Sequence, residues 1–171
     1  RCSLLFRVLM LVVSDMKKHH VQIIPATHEH IVRLLPHVRQ ADVDEFYAMS
    51  MQTPEQVLRH GLSVSTKAYA GIINDEVVTI FGVASGSLLT GLGVPWLVGS
   101  NLLEQHQKTF LRRCKPILKQ MLGQYSILMN YVDERNHIAK AWLHWLGFQI
   151  EEAKPAGLLQ LPFHRFTLRA K

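Results

Sequence analysis

The fold is decided by one stretch of the sequence, residues 131–148, which reads YVDERNHIAKAWLHWLGF. It opens with a β-rich run and continues into a segment whose apolar side chains recur at helical spacing. Those side chains are Ala139, Trp142, Leu143 and Leu146. Asn136 stands where a helix N-cap is needed, and Gly147 stands where a left-handed residue ends a helix. The stretch therefore predicts a strand, a short helix from Asn136 and the return of Phe148 to the core.

The rest of the chain extends this pattern into a mixed α/β sequence. The expected strands cover, in chain order, residues 21–24, 68–73, 77–83, 94–98, 127–132, 148–150 and 166–168. Helices are expected after Thr27, over residues 38–49, after Thr53 and from Asn101 to Gly123. Residues 85–93 are predicted to form a loop. Asn101 and Glu104 are expected to form a capping box, and Pro116 to kink or split the long helix.

Composition limits the functional classes. The chain has 171 residues, 48% hydrophobic and 19% charged, which favours one folded domain over disorder. Two cysteines, Cys2 and Cys114, provide no disulfide framework and favour a reducing, intracellular setting. The net charge of +6 fits either an anionic partner or a mildly basic surface that serves solubility. No run of about 18 apolar residues predicts a membrane span, and no dense Lys/Arg run predicts nucleic-acid binding.

The first fifteen residues differ in character from the remainder. An apolar run over residues 4–13 is interrupted by Arg7, and no cleavage site of small residues follows it. Met16 with the two lysines after it is typical of a translation start. We therefore expect residues 1–15 to be an upstream or leader segment outside the fold, with residues 16–171 forming a single domain. A secretory signal is the alternative.

Residues 131–148, taken with the order of elements, resemble the GNAT (Gcn5-related N-acetyltransferase) superfamily. The shared features are a strand, then Asn136-x-x-Ala139, then a helix that ends in Gly147-Phe148. The resemblance implies an α/β fold with a central mixed, mostly antiparallel twisted sheet and helices on both faces. It also implies acyl transfer from acetyl-CoA to an amine on a small molecule or a protein.

Several short motifs are similar to one branch, the GNAT-like proteins of T7-like and related tailed phages, some of which are internal virion or morphogenesis proteins. They lie at residues 80–83, 93–99, 132–136, 145–148 and 161–166. This likeness implies a phage or prophage origin, and a place in the host cytoplasm or the virion, with virion proteins as partners.

In the family, backbone N–H groups at the head of the long helix hold the pyrophosphate of acetyl-CoA. The resemblance therefore implies that the cofactor-binding residues are Leu97, Val98, Gly99, Asn101 and Asn136. Residues 98–107 depart from the family loop, since they contain one glycine and no Lys or Arg, and Glu104 adds an anion. Arg112 and Arg113, further along the helix, are either phosphate ligands or part of a solvated face.

The catalytic groups also depart from the family pattern. Leu143, a core residue by its spacing, stands where many members place the tyrosine that protonates the leaving thiolate, which leaves Tyr131 as the candidate acid. Asp42 and Glu45 are the candidate general bases, with Asp44 beside them. The alternative for these three acidic residues is a solvated helix face. The histidines His106, His137 and His144 are further candidates, but no histidine pair has metal-ligand spacing.

Two hypotheses follow from these residues. The first is an acetyl-CoA-dependent N-acetyltransferase without a metal. The second is a non-enzymatic phage internal virion or morphogenesis protein on a GNAT scaffold whose cofactor site has decayed.

Overall fold

The structure is a computed structural model that describes residues 20–87 and 89–170. The expected leader, residues 1–15, and the expected start at Met16 lie outside the described residues. Among the helices in the described part, none is both long and apolar enough to span a bilayer.

The described chain alternates between strands and helices. The helices are α1 (His28–Leu34), α2 (Gln40–Ser50), α3 (Pro54–Val64), α4 (Asn101–Gln105), α5 (Gln107–Gln124) and α6 (His137–Leu146), with a 3-10 turn at Leu35–His37. The strands are β1 (Val21–Pro25), β2 (Ser65–Ile73), β3 (Glu76–Ser87), β4 (Leu92–Gly99), β5 (Ile127–Asp133), β6 (Gln149–Ile150), β7 (Lys154–Ala156) and β8 (Leu161–Arg169).

All eight strands join one sheet in the order β1-β2-β3-β4-β5-β8-β6, with β7 paired to β8. Every pairing is antiparallel except that of β4 with β5, which is parallel. The predicted fold class, a mixed and mostly antiparallel sheet with helices, is confirmed.

Apolar clusters hold the helices against the sheet. Ile31 and Leu34 of α1 and Leu58 of α3 pack on strand residues such as Ile80. A second cluster joins α5 and α6 to the sheet through Phe110, Leu111, Cys114 and Trp142. A third surrounds Leu128 and Phe148, so that the strand–helix–strand unit of residues 127–148 packs as predicted. Burying large side chains of this kind contributes about 1.5–3 kcal/mol each.

The helix α6 begins and ends as its sequence predicts. Asn136 Oδ1 accepts a hydrogen bond from the Ala139 N–H at 3.3 Å, which is the expected N-cap contact. Gly147 follows the helix at φ 96°, the left-handed conformation that glycine adopts without strain.

Three expectations were wrong in whole or in part. Residues 85–93 are not all loop, because β3 runs to Ser87 and β4 begins at Leu92, so the ladder includes a pair at Ser85 and Gly93. Small residues with no alternation gave no strand signal there. Pro116 does not split its helix, since α5 runs through it; the carbonyl that the proline leaves free belongs to exposed Arg112, where water can bind it.

The break in the long helix lies earlier, at His106, whose φ and ψ of −112° and 15° leave the helical range. The predicted N-cap was wrong by one residue: Ser100 is the N-cap of α4, in extended conformation, and Asn101 is the first helical residue. Ser100 makes no side-chain capping bond, so neither residue supplies the expected capping box.

Candidate functional site

The parallel strands β4 and β5 separate soon after they pair. Their register includes only two pairs, Leu92 with Ile127 and Gly93 with Leu128. Beyond these, a cavity of about 190 Å³ lies between the strands, and we call it the β4/β5 cleft. Its apolar walls come from β3, β4, α5 and α6, including Phe81, Leu97, Phe110, Leu111, Cys114, Trp142 and Leu143. Its lining is predominantly apolar, as in small-molecule sites, and its volume is below the range of about 300–1,000 Å³ usual for a drug-sized ligand.

Asn130 of β5 spans the opening. Its Nδ2 donates to the Pro95 carbonyl of β4 at 2.8 Å. The two strands are therefore held at a fixed separation by a side chain where a backbone ladder would otherwise continue.

At the end of β4 the backbone is bound by α2 and the residue before it. The Gly99 N–H donates to Asp42 Oδ2 at 2.8 Å, and the Gly99 carbonyl accepts from the Arg39 N–H at 2.9 Å. Both peptide groups at this strand end are thus occupied by the chain itself.

At the end of β5 the arrangement is similar. The Asp133 N–H donates to Glu45 Oε2 at 3.1 Å. Asn136 Nδ2 donates to the same Glu45 oxygen at 3.1 Å and makes a longer contact of 3.5 Å with Asp42 Oδ1. Asn136 therefore joins the two carboxylates of α2 across the end of the cleft.

Arg39 provides the positive charge of this network. It is 2% exposed, and its guanidinium binds Asp42 through Nη2 at 2.5 Å and Nε at 3.2 Å. Its Nη1 lies 3.5 Å from Glu104, and its Cζ lies 4.7 Å from the ring centroid of Trp142. Sequence reasoning missed Arg39; its only signal was a basic residue three positions before Asp42, which is common on helices.

Burial changes the protonation of these acids. Burial raises the pKa of Glu45 to about 7, against the lowering effect of its bonds from Asn136 and the Asp133 N–H. Burial also raises the pKa of Asp42, although Arg39 opposes this. Asp133 is different: burial raises its pKa, but the bonds from Arg135 outweigh this, and the net direction is down. Glu45 is therefore the acid that changes charge near neutral pH.

The predicted catalytic residues are brought together in part. Asp42 is 3% exposed and Glu45 is half-buried, so the solvated helix face is the wrong description for these two. Asp44 is exposed, where its Oδ1 accepts from Gln40 Nε2. Tyr131 is 40% exposed and is among the residues that line the β4/β5 cleft.

The predicted cofactor residues occupy different environments. Leu97 and Asn136 line the β4/β5 cleft. Val98 packs instead in the core under α1 and α3, and Asn101 is exposed. Gly99 lies at the strand end, with its peptide groups already bound. Arg112 and Arg113 are exposed on the side of α5 away from the cleft residues Leu111 and Cys114.

The cleft fits the two parts of acetyl-CoA unequally. Its apolar walls suit an uncharged thioester arm. The head of α4 does not suit a diphosphate: the Gly99 N–H is bound to Asp42, Ser100 is 1% exposed, and Glu104 places a carboxylate nearby. For a metal, the described residues contain no group of three His, Cys, Asp or Glu side chains that could hold an ion.

Comparison with known proteins gives a clear result for the fold. No family model and no curated protein matches the sequence. Among solved structures, a GCN5-related N-acetyltransferase from Kribbella flavida matches with a TM-score of 0.67 and 13% identity, over 88% of this chain and 98% of that chain. The fold is that of the GNAT acetyltransferases.

Two further structures with this fold were determined with ligands. A Bacillus subtilis acetyltransferase in complex with CoA matches with a TM-score of 0.62 and 9% identity, over 90% of this chain and all of that chain. A spermidine N-acetyltransferase from Vibrio cholerae in complex with CoA and spermine matches with a TM-score of 0.63 and 8% identity, over 87% and 95%. At these identities the GNAT likeness describes the fold alone.

Proposed function

We propose that this protein is an N-acyltransferase of phage origin that transfers an acyl group from a CoA-type thioester such as acetyl-CoA to an amine. The observation that carries the proposal is the β4/β5 cleft, an apolar channel between parting strands that ends on a carboxylate whose pKa is about 7. A thioester arm is uncharged and extended, and it matches the apolar walls of this channel.

Glu45 is assigned the role of general base. It lies at the end of the cleft, where Asn136 and the Asp133 N–H hold one of its oxygens and leave the other available. A base with a pKa near the working pH combines a useful ionised fraction with a useful affinity for the proton. Asp42 has no such freedom, because both of its oxygens are bound by Arg39 or Gly99. Asp42 is therefore a positioning residue that keeps the strand end and Arg39 in place.

The transfer step uses two protein groups, a base that accepts a proton and an acid that donates one. An ammonium acceptor first loses one proton to solvent. The neutral amine nitrogen then attacks the thioester carbonyl carbon, so that a C–N bond forms and the C–S bond breaks. The surplus proton on nitrogen passes to the Glu45 carboxylate. The sulfur leaves as a thiolate and takes a proton from the Tyr131 phenol, which carries the only hydroxyl group among the described residues that line the cleft. Exchange with solvent restores both groups.

The acceptor is proposed to be a cationic amine. Half-buried Glu45 lines the cleft, and exposed Asp44 lies one residue before it on α2, so that two carboxylates are available to an ammonium group there, with Arg135 as the nearby competing cation. The Vibrio cholerae structure with the same fold contains spermine, so that polyamines are a reasonable first class to test.

The proposal is tested by thiol release from acetyl-CoA in the presence of spermidine, spermine and a lysine-containing peptide. Turnover that depends on both the thioester and the amine, and that fails in Glu45→Gln, would support it. Mass spectrometry of the acceptor would show the added acetyl group. Absence of thiol release with every acceptor, together with no heat of acetyl-CoA binding at millimolar concentration, would contradict it.

A second function is favoured by one observation at the same site. Gly99 and Asp133, the backbone donors at the two strand ends, are both bound by the protein's own carboxylates. A scaffold that had lost its cofactor would be closed in this way, and the protein would then serve as an internal virion or morphogenesis protein. Mass spectrometry of purified phage particles separates the two: stoichiometric packaging of a protein without acyltransferase activity would favour the second.

A further inference from the structure

The junction between the end of β4 and the start of α4 indicates which part of an acyl donor the protein recognises. We propose that the donor is bound through its acylated pantetheine arm, and that its nucleotide diphosphate makes no net contribution to affinity. This inference rests on the proposed acyltransferase function and specifies the donor for it.

The first step concerns the anion position at the end of β4. An anion bound at a strand-to-helix junction is held by backbone N–H groups, and the Gly99 N–H is the donor that β4 presents there. It is bound to Asp42 at 2.8 Å, and Asp42 is itself fixed by Arg39. A diphosphate at this position would have to take the Gly99 N–H from Asp42, and it would then lie beside a buried carboxylate that Arg39 holds in place.

The second step concerns charge. Arg39, the one buried cation of this network, already faces two carboxylates, since its guanidinium contacts Asp42 and Glu104. Residues 98–107 contain no Lys or Arg that would be free to bind phosphate. Glu104 is 35% exposed and adds a second carboxylate beside Arg39 at the head of α4. Within this network the carboxylates of Asp42 and Glu104 outnumber the one guanidinium, so that it offers no uncompensated positive charge to a phosphate.

The third step concerns the part of the site that remains able to bind an acyl donor. The walls of the β4/β5 cleft are apolar along the path from Leu97 to Trp142, and Asn130 holds the strands apart. This part of the site favours an uncharged chain with an acyl thioester at its end. Such a chain occurs free, in CoA and on carrier proteins, and its chemistry is the same in each.

The experiment measures the affinity of the full chain for three probes by calorimetry with a reductant present: CoA, pantetheine and adenosine 3′,5′-bisphosphate. We expect pantetheine and CoA to bind with dissociation constants within about threefold of each other, as for a solvent-screened charge contact, and the bisphosphate to show no heat. CoA binding more than about thirtyfold tighter than pantetheine, the effect of one or two charge-assisted hydrogen bonds, would overturn the inference and leave the proposed function intact. Failure of both thiols to bind would overturn the function itself.

A variant series locates any phosphate contact. Glu104→Gln removes the exposed charge but keeps the Arg39–Asp42 pair, and we expect it to strengthen CoA binding about two- to fivefold with pantetheine unchanged. Glu55→Gln, at the exposed ion pair with Arg59, is the matched control, and we expect no change in the affinity for either thiol. A preference for CoA that disappears in the Arg112→Ala, Arg113→Ala double variant would place the phosphates on α5 and refute the inference. Melting temperatures confirm that each variant folds.

An acylated carrier domain distinguishes the sources of the arm. If the inference holds, an acetylated carrier protein and free acetyl-pantetheine both bind the wild-type protein. Exclusion of every pantetheine thioester except acetyl-CoA would contradict it.

Discussion

The two strand ends that border the β4/β5 cleft, at Gly99 and at Asp133, differ in how they pass into a helix. The β5 end is followed by Asn136, which caps α6 and also bonds Glu45. The β4 end is followed by Ser100, whose hydroxyl is buried with no partner. Both strand ends are bound by carboxylates of α2, Glu45 at the β5 end and Asp42 at the β4 end. Only the β5 junction also has a helix cap supplied by a residue within a few positions of it, and this local cap is the part of the site that the sequence reveals.

The largest expected effect concerns Glu45. Glu45→Gln keeps the bonds at the β5 end in shape but removes the base, and we expect kcat/KM for acetyl transfer to fall about 10²–10⁴-fold. The rise in rate between pH 6 and 8 should also disappear, because Glu45 with its pKa of about 7 is the group that ionises there. Steady-state thiol release checks both, with Glu55→Gln as control. A variant that keeps the wild-type pH profile would remove Glu45 from the mechanism.

Stability at the β4 end depends on Arg39. Arg39→Met leaves Asp42 buried without its cation, and we expect the free energy of unfolding to fall by about 3–5 kcal/mol. The exposed pair of Arg59 and Glu55 provides the control, since Arg59→Met should cost less than about 1 kcal/mol. Urea denaturation measures both. A double change of Arg39→Met with Asp42→Leu should recover much of the loss, and no recovery would argue that the pair is not an isolated unit.

The pH dependence of stability follows from the same acid. In the unfolded chain Glu45 loses its proton near its ordinary value, whereas in the folded protein it keeps the proton until about pH 7. Between these values the folded state binds more protons, so stability should fall as the pH rises from about 5 to 7, by an amount on the order of 2 kcal/mol. Urea denaturation at several pH values gives the free energy of unfolding of the wild type and of Glu45→Gln, and the difference between the two isolates this contribution. If that difference stays the same from about pH 5 to 7, Glu45 titrates normally.

The smallest expected effects concern the residues that precede helices α6, α3 and α4. Asn136→Ala removes the cap of α6 and should cost about 1–2 kcal/mol, similar to or more than Thr53→Ala at the head of α3. Ser100→Ala removes a buried hydroxyl that has no partner, and we expect it to be neutral or stabilising. Thermal unfolding of the three variants gives the order. A destabilising Ser100→Ala would show that its hydroxyl has a partner in solution.

How much the sequence predicts depends on the distance along the chain over which a feature is determined. The α6 unit was predictable because Asn136, Ala139 and Gly147 act on their near neighbours, and the fold class followed from the order of such units. The hairpin over Ser85 and Gly93 was missed, because small residues pair through the backbone without a side-chain pattern. The burial of Asp42 and Glu45 was missed for another reason: it depends on Gly99, Asp133 and Asn136, which the fold brings to α2 from elsewhere.

Pro95 affects how β4 can pair with β5 along the cleft. Its carbonyl points toward β5, where Asn130 binds it, and the nitrogen of a strand residue points to the same edge as its carbonyl. The missing proline donor is therefore missing on the edge that faces the gap. An unpaired strand edge inside a sheet can form hydrogen bonds with the neighbouring strand, as an outer edge can with another molecule. Proline disfavours such pairing because it has no N–H to donate. A feature of the covalent chain, the proline nitrogen, thus opposes closure of the β4/β5 ladder at this position, together with the Asn130 side chain.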